Sequence, residues 1–355
     1  MNHLSQIAAK LPDYGLDAML ITSESGERYA LGFHGEGLLL VTREGGHHYT
    51  TDGRYIEAAQ EQITGVEPQC IVQGSGHIAL ARAFIEERGL HNVGFESGSM
   101  TVDDYHSYAQ ELPCILHPAQ TLLDGLRASK DEEEQAVMRK AQQITDETFK
   151  AILSYIRPGM TEREVAARIV YELLRRGAEK VSFDPIVASG ANGSRPHAVP
   201  GDTVLEPGVF ITMDFGCKVE GYCSDMTRTV ALGQPTEEME KVYETVRAAQ
   251  KAGINTARAG ITGREVDAAA RQVIADAGYG EYFSHSFGHS LGLDIHEAPF
   301  ASPSCNMELP VGCMISAEPG IYIPGKFGVR IEDVLHIKEG GCDDITRSPR
   351  DLIVL

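Results

Sequence analysis

The feature that most constrains this 355-residue chain is an internal duplication. Arg157-Pro158-Gly159-Met160-Thr161-Glu162-Arg163-Glu164-Val165 returns as Arg258-Ala259-Gly260-Ile261-Thr262-Gly263-Arg264-Glu265-Val266. Gly208-Val209-Phe210-Ile211-Thr212-Met213-Asp214-Phe215-Gly216 returns as Gly312-Cys313-Met314-Ile315-Ser316-Ala317-Glu318-Pro319-Gly320. A spacing of about 100 residues is too long for the stacked units of a solenoid, whose periods run from about 20 to 50 residues. It predicts two α+β halves folded against each other, with a site between them built from both. Thr161-x-x-Glu164 and Thr262-x-x-Glu265 have the capping-box form, so each copy is expected to start a helix at the same place. Val165, Ile169 and Leu173 give the first of these helices an apolar stripe.

Acidic residues recur within the copies. Residues 209–217 and 222–231 are rich in Val, Ile, Phe, Thr and Met and read as strands around a turn at 218–221. A symmetric hairpin closed by that turn sets Asp214 opposite Asp225. Directly opposed side chains have Cβ atoms roughly 4.5–5.5 Å apart, where like charges destabilise. A cation between the two carboxylates would remove that penalty. In the second copy, 312–318 and 328–337 read as strands around Pro324-Gly325-Lys326. Glu318, the counterpart of Asp214, ends an apolar run just before Pro319-Gly320. In Val329-Arg330-Ile331-Glu332 apolar and charged residues alternate, which puts Arg330 and Glu332 on one face.

His289 stands in Ser286-Phe287-Gly288-His289-Ser290-Leu291-Gly292, where the glycines admit close backbone approach. Asp214, Asp225, His289, Glu318 and Glu332 thus form an oxygen-rich set with one imidazole. Such a set suits Mn²⁺ or Co²⁺, with Fe²⁺ or Zn²⁺ as further options. It lacks the thiolates of a structural zinc site. Two ions roughly 3.5–4 Å apart acidify a water and polarise a carbonyl, which supports amide hydrolysis. His296-Glu297 begins like the zinc motif H-E-x-x-H, but residue 300 is Phe and the motif fails. His296 and His197 suit hydrogen bonding better than metal ligation.

Residues 1–127 read as a separate α/β domain and 128–355 as the duplicated one. The boundary falls at Ala128-Ser129-Lys130-Asp131-Glu132-Glu133-Glu134, where Ser129 is placed to cap the next helix and the acidic run reads as a solvated face. In the first domain, strands are expected at 17–22, 37–42, 47–51 and 92–96, with a helix at 78–88 closed by Gly89. His34, His47 and His48 fall in or near predicted turns and read as surface or turn residues. Asp52-Gly53-Arg54-Tyr55 reads either as a strand end with a salt bridge or as a segment touching substrate across a dimer. Cys217 and Cys223 read as packing residues.

Composition excludes several partners. Apolar content of 42% and charge of 23% are ordinary globular usage. A net charge of −20 argues against nucleic acid or an anionic membrane surface. No apolar stretch approaches the roughly 20 residues that span a bilayer, and no signal peptide is expected. Seven scattered cysteines without a C-x-x-C pair fit a reducing cytoplasm.

Six stretches now stand in a fixed order: Met213-Asp214-Phe215-Gly216, Ser224-Asp225-Met226-Thr227-Arg228-Thr229, Gly288-His289-Ser290-Leu291-Gly292, His296-Glu297, Ala317-Glu318-Pro319-Gly320 and Val329-Arg330-Ile331-Glu332-Asp333. Together they resemble the pita-bread metallopeptidases, specifically the Xaa-Pro dipeptidase (prolidase) and aminopeptidase P group, over the whole chain. The resemblance implies a creatinase-type N-terminal domain followed by a duplicated pita-bread catalytic domain. It implies hydrolysis of the Xaa–Pro amide at the N-terminus of dipeptides or short peptides. Asp214, Asp225, His289, Glu318 and Glu332 would hold two divalent ions, with Asp214 and Glu332 bridging them and Glu318 also acting as general base. His197 would contact substrate near the scissile bond, and His296 would stabilise the tetrahedral intermediate. Arg330 would orient a carboxylate ligand. A homodimer is expected, with the first domain of one chain closing the site of the other.

Two positions depart from the family pattern. Ser290 replaces the usual second glycine, and Phe300 stands where prolidases commonly carry an arginine that helps read the substrate carboxylate. Alternatives on this fold are a creatinase-like amidinohydrolase or related lyase, a methionine aminopeptidase, and a catalytically dead peptide-binding module. The complete ligand set argues against the first and last of these, and the extra N-terminal domain against the methionine aminopeptidase.

Overall fold

The computed structural model describes residues 2–72 and 75–355. Two compact units emerge, Met1–Arg127 and Ala128–Leu355. In the first, a six-stranded sheet runs in the order Pro68–Cys70, His48–Thr51, Leu38–Thr42, Ala18–Ile21, Asn92–Phe95, Ile115–Pro118. Its two central strands are buried throughout and apolar except for Thr42, as a sheet covered by helices requires. Helix His77–Arg88 ends at Gly89 in the left-handed conformation, as its sequence predicts.

The histidines of this unit differ from expectation at one place. His48 is a strand residue, buried and stacked on Phe84 at 4.8 Å. Burial pushes its pKa down to about 4, so it is a neutral core residue rather than a turn histidine. His47 does sit at the turn, accepting from the Thr42 N–H. His34 pairs at 2.7 Å with the buried carboxylate of Glu27. Arg54 bridges Asp52 and Glu36 at 2.7 and 2.6 Å, the salt bridge expected for that strand end.

The second unit carries the duplication in its topology. Thr227–Leu232, Val209–Asp214 and Ile186–Ser189 lie side by side, all antiparallel. Asp333–Lys338, Met314–Ala317 and Gly288–Ser290 repeat that order within a five-stranded sheet. A helix pair flanks each set: Glu132–Leu153 with Glu162–Arg175, and Glu237–Thr256 with Gly263–Asp276. Both expected capping boxes form, at Thr161/Glu164 and Thr262/Glu265. Val165, Ile169 and Leu173 are fully buried in the first of two separate apolar cores. Cys217 and Cys223 are buried, and all seven cysteines are free.

Three expectations need correction. Ser129 does not cap the first helix; its hydroxyl donates to the Val311 carbonyl. Asp131 is the cap and forms a third capping box with Glu134, although Ser129 and Glu132 stand at the same spacing. Glu134 therefore leaves the solvated face: it is buried and accepts from the Tyr222 hydroxyl. The hairpin after Asp214 turns later than expected. Val219 pairs with Tyr222, and Glu220 and Gly221 both have positive φ, 48° and 83°. That is the two-residue turn whose twist matches its strands. The register moves by two residues, so Asp214 faces Thr227 instead of Asp225. A shift of two preserves the face, and both acids still point to the same side.

A buried ion pair ties the start of this unit to the loop before Glu297. Lys130 Nζ lies 3.1 Å from Glu297, with both side chains almost fully buried. Removing one member of such a pair strands the other charge, which costs about 3–5 kcal/mol. Lys130→Met is expected to lower unfolding stability by that amount in chemical denaturation. A loss within the range of an exposed pair, about 1 kcal/mol or less, would contradict this reading.

Candidate metal centre

The long strands expected around the acids are each broken in two, and the breaks hold the carboxylates. Asp225 lies between Tyr222–Cys223 and Thr227–Leu232. Glu318 and Glu332 lie in facing gaps, bracketed by the pairs Ala317–Asp333 and Gly320–Arg330. Asp214 ends its strand with Thr227 on one side and Ile186 on the other. His289 is the middle residue of Gly288–Ser290, paired with Phe300. A Cβ at Gly288 would collide with the Ser316 carbonyl, which is why that close approach needs glycine.

All five residues line one cavity of about 470 Å³, together with His197, His296 and Arg330. His289 Nε2 lies 3.2 Å from Glu318 Oε1 and 3.7 Å from Asp225 Oδ2. Ligand atoms of Asp225, His289 and Glu332 all fall within 4.8 Å of one another. His289 Nδ1 donates to the Ser290 carbonyl at 3.2 Å, which aims Nε2 at the acids. Arg330 Nη2 donates to Asp214 Oδ2 at 2.7 Å, and Thr227 Oγ1 donates to Glu332 Oε2 at 2.7 Å. The His296 ring meets the His289 ring edge to face, with centroids 4.4 Å apart.

The electrostatics call for a cation. Burial, then the charges of neighbouring carboxylates, push Asp225 and Glu332 well above the ordinary carboxylate range. Burial also raises Asp214, against the pull of Arg330. Glu318 is the exception: burial raises it, but His289 overrides burial and holds it down at about 2. Three buried oxygens, Asp214 Oδ1, Asp225 Oδ1 and Glu332 Oε1, have no hydrogen-bond partner. Orphaned acceptors beside the His289 Nε2 fit divalent metal ions, whose charge would bring the three raised carboxyls back down.

Three residues were not singled out from sequence. Tyr322 accepts from Arg330 Nη1 at 2.8 Å and donates to His285 Nε2 at 2.8 Å. His285 Nδ1 donates to the Ser286 carbonyl, which fixes its ring, and burial keeps it neutral. Thr227 accepts from Arg330 Nε at 3.0 Å while holding Glu332. The one available signal was a histidine four residues before His289. Nothing in the pattern marks Tyr322.

Comparison with known proteins places this geometry. Residues 136–339 match metallopeptidase family M24, and residues 3–129 match the creatinase/prolidase N-terminal domain. An uncharacterized peptidase of Bacillus subtilis is 42% identical over 342 residues, 96% of each chain. The solved structure of a Xaa-Pro dipeptidase from Bacillus anthracis superposes with a TM-score of 0.95 at 39% identity, covering 99% of both chains. That of an X-Pro aminopeptidase from Thermotoga maritima gives 0.89 at 34% identity, covering 96% of this chain and 98% of the other. A creatinase-type N-terminal domain thus precedes a duplicated catalytic domain with its acids gathered at one cavity, and the chain belongs to metallopeptidase family M24.

Proposed function

We propose that this chain hydrolyses the Xaa–Pro bond at the N-terminus of short peptides, at a centre of two divalent ions. The observation that carries the reading is the set of three orphaned carboxylate oxygens beside His289. Asp214, Asp225, His289, Glu318 and Glu332 would hold the ions. Manganese is the metal we propose, from the oxygen-rich donor set. When bound, the ions acidify a water and polarise the scissile carbonyl.

The chain's own residues do the rest. Arg330 and Thr227 hold the Asp214 and Glu332 carboxylates in place, so neither must reorient during turnover. Glu318 Oε1 is engaged by Ser316 and His289 at 3.1 and 3.2 Å, which fixes the carboxylate at the cavity. It takes a proton from the attacking water and returns one to the leaving nitrogen. That nitrogen belongs to proline, which has no N–H of its own before protonation. His296 and His197 face the same cavity and are assigned to the developing oxyanion and the substrate backbone.

The reading is tested by matched peptides Ala-Pro-Ala and Ala-Ala-Ala with manganese present, following release of free alanine. Cleavage of the first and not the second is expected. Equal rates would overturn proline selectivity.

We also assign a cytoplasmic homodimer. The seven free cysteines fit a reducing compartment. The first unit holds none of the assigned ligands yet makes up a third of the chain, and its role is to close a partner's site. Sedimentation is expected to give a dimer at assay concentrations, and a fully active monomer would refute the assignment.

A further inference from the structure

The cavity carries a charge imbalance that bears on which peptides it accepts. Its lining includes five carboxylates, Asp184 and the four of the cluster, but no lysine and a single guanidinium, that of Arg330. Arg330 is buried and already donates to Thr227, Tyr322, the Pro196 carbonyl and Asp214. His285 is already engaged by the Tyr322 hydroxyl and the Ser286 carbonyl. Two cations that neighbour the site in sequence lie outside the lining. Lys326 is paired with Glu238 at 2.8 Å, and Arg195 is exposed and not among the lining residues. What the cavity does offer is apolar surface. Phe300 sits directly across from His289 and is 40% exposed, and Val199 at the rim is 86% exposed.

In a Xaa-Pro dipeptide a free carboxylate stands one residue from the bond to be cut. In a longer peptide the same position is a neutral amide. Whichever way the peptide lies, this chain's own lining has no lysine and no uncommitted arginine for that carboxylate, and an unpaired charge there is costly. Resting on the peptidase reading above, we propose that this centre selects against a free carboxylate on the proline. Its substrates are tripeptides and longer chains, and Phe300 is the specificity-determining residue. The neutral ring packs against the residue that follows proline, where a cation would instead read a chain end.

The test compares Ala-Pro with Ala-Pro-amide, which differ only in that charge, and includes Ala-Pro-Ala as the natural form. The amide and the tripeptide are expected to exceed the free dipeptide in kcat/KM by a factor of about ten or more, the size of one charge-assisted hydrogen bond. Phe300→Arg is expected to shift the ratio of dipeptide to amide upward by a similar factor. Calorimetric binding of proline and prolinamide to the wild-type protein gives a second readout, with prolinamide binding more tightly. A free dipeptide cleaved as well as its amide would overturn the selectivity while leaving the peptidase reading intact. An unchanged ratio in Phe300→Arg would remove that residue from the account. If none of the three peptides is cleaved, the peptidase reading fails and this inference with it.

Discussion

Asp214→Asn and Glu332→Gln are each expected to lower bound metal from two ions per chain and to abolish turnover. Both side chains are fixed by partners that read a carboxylate, Arg330 on Asp214 and Thr227 on Glu332. Each also leaves one buried oxygen without a partner, the oxygen assigned to the ions. An amide keeps the shape but removes the charge, and it places an N–H donor where a lone pair is needed. Outer partners of metal ligands already cost roughly 10–100-fold in affinity or activity when removed. Loss of a ligand itself should exceed about a hundredfold. Elemental analysis and kcat/KM should fall together. Wild-type activity in either variant would show that the carboxylate holds no ion.

His296→Ala and His197→Ala are expected to separate the two quantities, keeping the metal and losing turnover. His296 packs edge to face on His289, and neither histidine joins the group of ligand atoms around Asp225. Burial keeps His296 neutral, which leaves an N–H available for a developing negative charge. Removing such a donor costs about a hundredfold to a thousandfold in kcat. A loss of metal like that expected of His289→Ala would show that one of them is a ligand.

How much of this was legible in the sequence depends on the kind of signal. The duplication and both capping boxes produced the expected elements, whereas the strand expected over 328–337 breaks at Ile331-Glu332, with Arg330 and Glu332 still at one cavity. The turn at Glu220-Gly221 was misjudged because a non-glycine residue adopts positive φ there. The error left the faces unchanged, since two residues is one strand period. Ser129 does not serve as the cap because its hydroxyl is taken by the Val311 carbonyl, which is far along the chain and which no local pattern announces. His48 looked like a turn residue because its partner, Phe84, lies on a helix far along the chain. The chain His285–Tyr322–Arg330 was invisible for the same reason: it joins a loop, a strand and its hairpin partner, and no spacing rule connects them.

The central claim is that the crowded carboxylates hold two cations on which Xaa–Pro hydrolysis depends. The most direct measurement is a titration of metal-stripped protein with Mn²⁺, following Ala-Pro-Ala hydrolysis and free metal in the same samples. The account predicts no turnover without metal, tight uptake of two equivalents per chain, and a rate that stops rising at the second. Full turnover in the stripped protein, or uptake that ends at one equivalent with full activity, would contradict it.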